Sequence, residues 1–336
     1  MMRMSAAKSP SVSRPRIALV ATGGTIAGIS AGPGYRAAVI DVPDLIAAAP
    51  GLQLLAELRA EQLMQIDSAD FTDERLLQLA RRVAALCAQD DVDGVVITHG
   101  TDTLEESAWF LHLSVPSRKP IVLTGAMRPA NAPGADGPAN LLDAVALAAH
   151  PSSHGRGALV VLGGQIYSAR DATKVHATRL DAFAAPHGPL GLLAAGAPRW
   201  YRAVTHPHTA DSQFDVNRIA ALPLAGLVSS HGNMRPEPYR AWAGAGARAI
   251  VHAGFGAGTV PGYLVRTLRD LSRRGVLIVR ASRAGGVVIR NAQFDDGACG
   301  SVAAGDHPPT HARLLAALAL TQTQDAEQLQ AVFDRY

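Results

Sequence analysis

Short apolar runs alternate along this chain with longer segments whose apolar residues fall at helical spacing, the pattern of a mostly parallel sheet covered by helices. Ile17–Ala21, Val95–Thr98, Ile121–Leu123 and Leu159–Leu162 read as buried strands. Between the first two, residues 73–88 place Leu76, Leu77, Ala80, Val83, Ala84 and Cys87 on one helical face. Thr103-Leu-Glu-Glu106 has the form of a capping box and predicts a helix through about Leu113; residues 141–149 predict the next one. Around 205–224 the periodicity lapses into a polar stretch with His, Pro and Asp, which reads as an interdomain linker. A second series follows: strand 227–230, helix 237–243, strand 249–252, helix 262–273, strand 276–280, and terminal helices near 310–320 and 326–335. The expected organisation is a flexible tail (1–15), a catalytic α/β domain (16–204), a linker (205–224) and a C-terminal α/β domain (225–336).

Composition narrows the function classes. A chain of 336 residues suits two α/β domains, and 48% hydrophobic with 18% charged residues excludes disorder. The net charge is +3, part of it in Arg3, Lys8, Arg14 and Arg16, and no basic stripe is interleaved with aromatics. Nucleic acid is therefore not an expected partner. No apolar run approaches a bilayer span, so no membrane partner is expected either. The Ser/Pro/Arg-rich N-terminus lacks the apolar stretch of a signal peptide, and Cys87 and Cys299 suit a reducing compartment; the expectation is a cytoplasmic protein. The two cysteines have no metal-ligand spacing, and neither a metal nor another cofactor is expected.

Two strand ends carry candidate chemistry. Ile17–Ala21 runs into Thr22-Gly-Gly-Thr-Ile-Ala-Gly28, at the end of a strand where ligand sites of open parallel sheets lie. A dinucleotide-binding turn is the fold-level alternative, but the glycines do not spell G-x-G-x-x-G, and Ile29–Gly34 is too rich in Gly and Pro to open a helix. A mobile loop carrying Tyr35 and closing over a small substrate fits better. The second strand ends in Thr98-His-Gly-Thr-Asp-Thr103. Thr101 and Asp102 are not needed for capping and would point into the strand-end crevice, whereas His99 reads as a hydrogen-bonded structural residue.

Together with Lys119-Pro-Ile-Val-Leu-Thr-Gly-Ala-Met-Arg-Pro129, Asp136-Gly-Pro-Ala-Asn140, Arg170-Asp-Ala-Thr-Lys174 and Ala319-Leu-Thr-Gln-Thr323, these segments resemble the bacterial asparaginase/glutaminase-asparaginase family along nearly the whole chain. The resemblance implies an asparaginase-like fold: a larger N-terminal Rossmann-like parallel-sheet domain and a smaller C-terminal flavodoxin-like α/β domain. It implies hydrolysis of L-asparagine to L-aspartate and ammonia through a threonine acyl-enzyme, with weak glutaminase activity. Matching motifs make Thr25 the nucleophile, Tyr35 its activating partner, and Thr101, Asp102 and Lys174 a second hydroxyl–carboxylate–amine group. A threonine hydroxyl needs a nearby proton acceptor, and a lysine flanked by a carboxylate and a hydroxyl can shuttle a proton. Which threonine attacks, and which base serves each step, stays open. Ser68 matches the binder of the substrate α-carboxylate; as a residue on its own it reads as a loop cap before helix 73–88. Ala126 matches a position whose carbonyl faces the leaving amide, and Lys174 alone would read as a surface partner of Asp171.

The chain departs from the family pattern at Ala69, where a Gln or Glu usually helps to hold the substrate ammonium. Thr259 and Gln293 stand at the positions of an Asn and a Glu that reach into a neighbouring subunit's site, the latter match depending on a one-residue gap. Asp102 is then the only carboxylate left for the ammonium. Cys87 matches a position disulfide-bonded in periplasmic relatives, with about Ser117 at the partner position. The resemblance further implies a homotetramer built as a pair of tight dimers. The alternatives are an amidohydrolase for a related amide, such as the amide-releasing subunit of a tRNA-dependent amidotransferase, and a non-catalytic amino-acid-binding protein. The first usually brings extra domains; the second has no need of Thr25, Thr101, Asp102 and Lys174 together.

Overall fold

The computed structural model describes residues 14–31 and 34–336, so the expected tail falls outside the described residues up to residue 13. The first half is built from β1 (Arg16–Gly23), a short β2/β3 hairpin (Ile29–Ala31, Gly34–Arg36), small helices α1 (Val42–Ala47) and α2 (Leu52–Leu55), β4 (Glu57–Ile66) and α3 (Asp73–Cys87). It continues through β5 (Gly94–Thr98), α4 (Leu104–Ser114), β6 (Ile121–Thr124), α5 (Gly137–Ala149), β7 (Ala158–Leu162) and β8 (Gln165–Ser168). The two-residue ribbon β9/β10 (Thr173–Lys174, Phe183–Ala184) and the pair β11 (Gly191–Ala194) and β12 (Ala197–Trp200) complete it. One sheet of eight strands runs β12-β11-β8-β7-β6-β5-β1-β4, parallel from β4 to β7 and antiparallel beyond.

The second half has β13 (Ala225–Ser229), α6 (Glu237–Gly244), β14 (Ala249–Gly254), α7 (Gly262–Arg273), β15 (Leu277–Ser282), α8 (Asp296–Cys299), β16 (Ser301–Ala303), α9 (Pro309–Ala319) and α10 (Ala326–Arg335). Its four strands are all parallel, in the order β13-β14-β15-β16. The molecule thus has a large, mainly parallel sheet and a smaller parallel one, the fold class that the residue pattern predicts.

The two sheets share a core. α4 and α9 contribute Trp109, Leu111, Leu314, Leu315 and Leu318 to one apolar cluster that reaches Val95 of the large sheet and Val251 of the small one. α4 is buried nearly all round, as a helix packed on both sides must be. Trp109 Nε1 donates to the His311 carbonyl at 3.1 Å, joining the halves. The stretch expected as a linker holds two single 3₁₀ turns, and Phe214 and Val216 within it are buried. Among the described residues no helix is long and apolar enough to cross a membrane.

Both cysteines are free and buried. Burial pushes the Cys87 thiol up, and the Ser117 hydroxyl beside it pulls the other way. The position that the family resemblance matches to a disulfide partner is therefore in contact with Cys87. Ser117→Cys is expected to close a disulfide on oxidation, raising unfolding free energy by about 3–4 kcal/mol for a loop of about 30 residues. Thiol titration in denaturant should then find one free thiol in place of two in the native sequence. Three free thiols after oxidation would contradict the contact.

Candidate active site

The motif segments meet because neighbouring strands end at one edge. β6, β5, β1 and β4 are consecutive in the sheet, with Thr124, Thr98 and Ala21 in one register line. Beyond those ends lie Ala126, then Thr101 and Asp102, then Thr25, then Ser68. The chain first adds β4 on one side of β1 and then β5 on the other, so the crevice opens where the strand order reverses.

Glycines permit the close approach. Gly24 has φ +80°, and a Cβ there would lie 2.2 Å from the Gly100 backbone. A Cβ on Gly100 would strike the Ser68 hydroxyl at 2.5 Å. With no side chain at either position, the turns after β1 and β5 touch backbone to backbone, and the Ser68 side chain packs directly on the Gly100 backbone. Thr25, one residue beyond Gly24, is carried alongside Thr101, one residue beyond Gly100. Thr25 opens a 3₁₀ turn whose Ile26 and Ala27 are anchored against Leu45 and Ala126. The half-buried Thr25 therefore stands on a fixed turn.

Lys174 Nζ donates to Thr101 Oγ1 at 2.9 Å and pairs with the Asp102 carboxylate. Thr101 is buried, whereas the Asp102 side chain is 55% exposed and open to a ligand. Asp171 instead pairs with Arg170, which also holds Asp306 at 2.7 Å, so the surface pairing of Lys174 with Asp171 is not formed. Ser68 is buried, and its Oγ accepts the Asp102 N–H at 3.3 Å.

The expected capping box is absent. Thr103 occupies the N-cap position of α4, but its hydroxyl donates to the Ser68 carbonyl at 2.8 Å, and Glu106 pairs with Arg313 at 2.9 Å. Both side chains are drawn into tertiary contacts that locate the Ser68 loop and α9. Nor does Ser68 cap α3; Thr72 does.

His99 is structural, as its place after a buried strand suggests. Its Nδ1 lies 2.7 Å from the Gly100 carbonyl and its Nε2 2.9 Å from Ser107 Oγ, and burial takes its pKa down to about 4. The ring supports the Gly100 turn as a neutral strut.

Asp136 and Asn140 acquire a role that their motif alone does not state. The Asp136 carboxylate accepts the Met127 and Arg128 N–H groups at 3.0 and 2.9 Å, and Asn140 Nδ2 donates to the Gly125 carbonyl at 3.0 Å. Together they fix the buried Ala126 turn. The segment expected as a mobile loop contains the β2/β3 hairpin, with Ser30 opposite Tyr35 and both backbone groups of Ser30 held by Asn131. The Tyr35 side chain lies outside the described residues, as do residues 32 and 33.

Thr259 and Gln293 are exposed on loops of the second half, and no hydrogen bond joins either to Ser68, Thr101, Asp102 or Lys174 among the described residues. One buried guanidinium ties their loops together. Arg280 pairs with Asp296 at 2.6 Å and donates to the carbonyls of Gly258, at 3.2 Å, and Ile289, at 3.3 Å. Among the described residues no His/Cys/Asp/Glu cluster could hold a metal ion.

Glu105 belongs to none of the residues that the motifs mark as chemical. Its carboxylate is buried under β9, accepting the Lys174 backbone N–H at 2.5 Å and the Thr310 hydroxyl of α9 at 3.2 Å. Burial pushes its carboxyl up to about 7 against the pull of those bonds. The available signal was an acid inside Leu-Glu-Glu-Ser-Ala-Trp-Phe-Leu, a helix too apolar to keep two carboxylates in solvent.

Similarity to known proteins extends over nearly the whole chain. A family model described as "Asparaginase, N-terminal" matches residues 16–206, and one described as "Glutaminase/Asparaginase C-terminal domain" matches residues 226–333. A glutaminase-asparaginase of Pseudomonas aeruginosa is 46% identical over 98% of this chain and 92% of its own. A protein of Haemophilus influenzae named "Probable L-asparaginase periplasmic" is 41% identical over 96% of this chain and 93% of its own. A crystal structure titled "Probable Cytoplasmic L-asparaginase from Campylobacter jejuni" superposes with a TM-score of 0.93 at 41% identity, covering 96% of this chain and all of that one.

Proposed function

The chain belongs to the asparaginase family, and on that premise we propose that it hydrolyses the side-chain amide of L-asparagine to L-aspartate and ammonia through an acyl-enzyme on Thr25. The observation that carries this reading is the Lys174 ammonium on both the Thr101 hydroxyl and the Asp102 carboxylate, at the crevice beside Thr25.

In the proposed cycle Thr25 attacks the amide carbon while Tyr35 relays the Thr25 hydroxyl proton to the departing amide nitrogen, which then leaves as ammonia. Backbone N–H groups near Thr101 stabilise the oxyanion, a contribution of about 3–4 kcal/mol in comparable sites. Ammonia leaves past the Ala126 carbonyl. Water then hydrolyses the ester, with Thr101, Lys174 and Asp102 relaying its proton. Ser68 holds the substrate α-carboxylate and Asp102 its α-ammonium; the exposed Asp102 side chain supports this double use.

Thr259 and Gln293 line the site of a neighbouring subunit in a homotetramer built as two tight dimers. Their exposure, on loops fixed by Arg280, supports this. A fully active monomer by light scattering would overturn it. Two free buried thiols support a reducing, cytoplasmic compartment.

Asparagine should be preferred to glutamine. Ala69 is exposed and offers no side-chain acceptor, and the longer substrate places its ammonium farther from Thr25. One missing charge-assisted hydrogen bond is worth about 1.5–3 kcal/mol, or roughly ten- to a hundredfold in kcat/KM. Ammonia release from the two amides, assayed side by side, tests both the activity and the preference. No release from asparagine would refute the function; equal efficiency on both would refute the reading of Ala69.

A further inference from the structure

We propose that Glu105 is a positioning residue for Lys174, clamping the strand that carries the catalytic amine to helix α9 of the second half of the chain. The inference rests on the reading of Lys174 given above. Lys174 lies on a ribbon of two residues per strand, β9 against β10. A ribbon that short has little stability of its own and needs an outside anchor. Glu105 supplies it. One carboxylate oxygen takes the Lys174 backbone N–H at 2.5 Å, and the other takes the Thr310 hydroxyl at 3.2 Å.

The clamp connects three parts of the site. Glu105 stands three residues beyond Asp102, so the helix that follows the Thr101–Asp102 turn also grips the backbone of the lysine whose ammonium returns to that turn. Lys174 is thus held at both ends by one short stretch of chain. Thr310, at the start of α9, adds the third point, and α9 packs against the small sheet, whose β14 leads into the loop of Thr259. A buried carboxylate without a direct side-chain cation is costly unless its oxygens are bonded, and here each has one donor. The groups facing it are Glu106 on its own helix, Lys174 on β9, Asp102 through that lysine, and Arg313 of α9, which is occupied by Glu106 and Asp73. Its carboxyl is raised to about 7 by burial, so protonation near neutrality would weaken its grip on the Lys174 N–H, because a carboxylate accepts more strongly than the neutral acid.

Glu105→Gln, Thr310→Val and Lys174→Met, made in the full chain, separate this proposal from its premise. An error of about 1 Å in a reacting group can cost about a hundredfold, so Glu105→Gln should lower kcat about ten- to a hundredfold while KM changes little. The native enzyme should lose kcat as pH falls through about 7; the Gln variant should lack that step. Thr310→Val keeps the Lys174 bond and should show a smaller loss of kcat in the same direction. If Glu105→Gln does not fold, Thr310→Val decides by its kcat, with native kcat counting against the clamp; its acid step stays because Glu105 is still present. Native kcat and an unchanged pH profile in the folded variants, with Lys174→Met inactive, would overturn the clamp and leave the role of Lys174 standing. An active Lys174→Met would remove the premise and the proposal together.

Discussion

Thr25→Ala is expected to lower ammonia release from asparagine by about 10⁴- to 10⁶-fold, the loss seen when an activated nucleophile is removed from an acyl-transfer site. The chain should stay folded, because the turn is held by Ile26, Ala27 and the Gly28 N–H bond to the Thr25 carbonyl, none of which needs the hydroxyl. Thr101→Val should lower kcat strongly as well. It keeps the shape of a buried side chain but removes the acceptor that receives Lys174 Nζ at 2.9 Å, leaving the ammonium on Asp102 alone. Steady-state ammonia assays on variants with native circular dichroism read both effects. Undiminished turnover by either folded variant would remove that hydroxyl from the mechanism.

The second large effect is loss of stability in mild acid. His99, His307 and His311 are buried, and burial brings their pKa values down from 6.5 to about 4, 3 and 3. The unfolded chain binds protons at these rings below 6.5 and the folded chain does not. Stability is therefore complete above about pH 6.5 and is lost as pH falls toward the folded values. At pH 5 each ring costs about 2 kcal/mol, about 6 for the three. Glu105 opposes this: its carboxyl is raised from 4.5 to about 7, so acid relieves the burial of its charge. Its offset at pH 5 is about 2–3 kcal/mol, leaving a net loss of about 3–4 kcal/mol per protomer. That is a large part of a typical unfolding free energy of about 5–15 kcal/mol. Denaturant unfolding at pH 7.5 and pH 5 measures the loss; equal stability at both would contradict neutral buried rings.

Where one periodicity dominates, the elements are legible from residues alone. Helices at Gly262–Arg273 and Ala326–Arg335 form as their spacing predicts, and β1, β5, β6 and β7 coincide with apolar runs that are buried on both faces. β4 is not legible, because it is an edge strand with exposed positions at Glu57, Arg59 and Ala60 and no apolar run to mark it. The antiparallel additions β8, β11 and β12 are each four residues long, too short for a period to show.

At the site, the motifs named the residues and the fold supplied their neighbours. Thr103 and Glu106 fit a local rule, yet Ser68 and Arg313, distant in sequence, outcompete the local cap. Glu105 carries no local signal beyond its apolar surroundings, because its partners Lys174 and Thr310 lie 69 and 205 residues away. The role of Asp136 in holding the Ala126 turn likewise exists only once the backbone bends back on itself.

In the proposed cycle Thr25, and not Thr101, becomes acylated. Rapid quenching in acid during asparagine turnover, followed by peptide mapping with mass spectrometry, tests it most directly. An aspartyl ester is expected on the peptide that contains Thr25, with the Thr101 peptide unmodified. An ester on Thr101, with Thr25 unmodified, would contradict it.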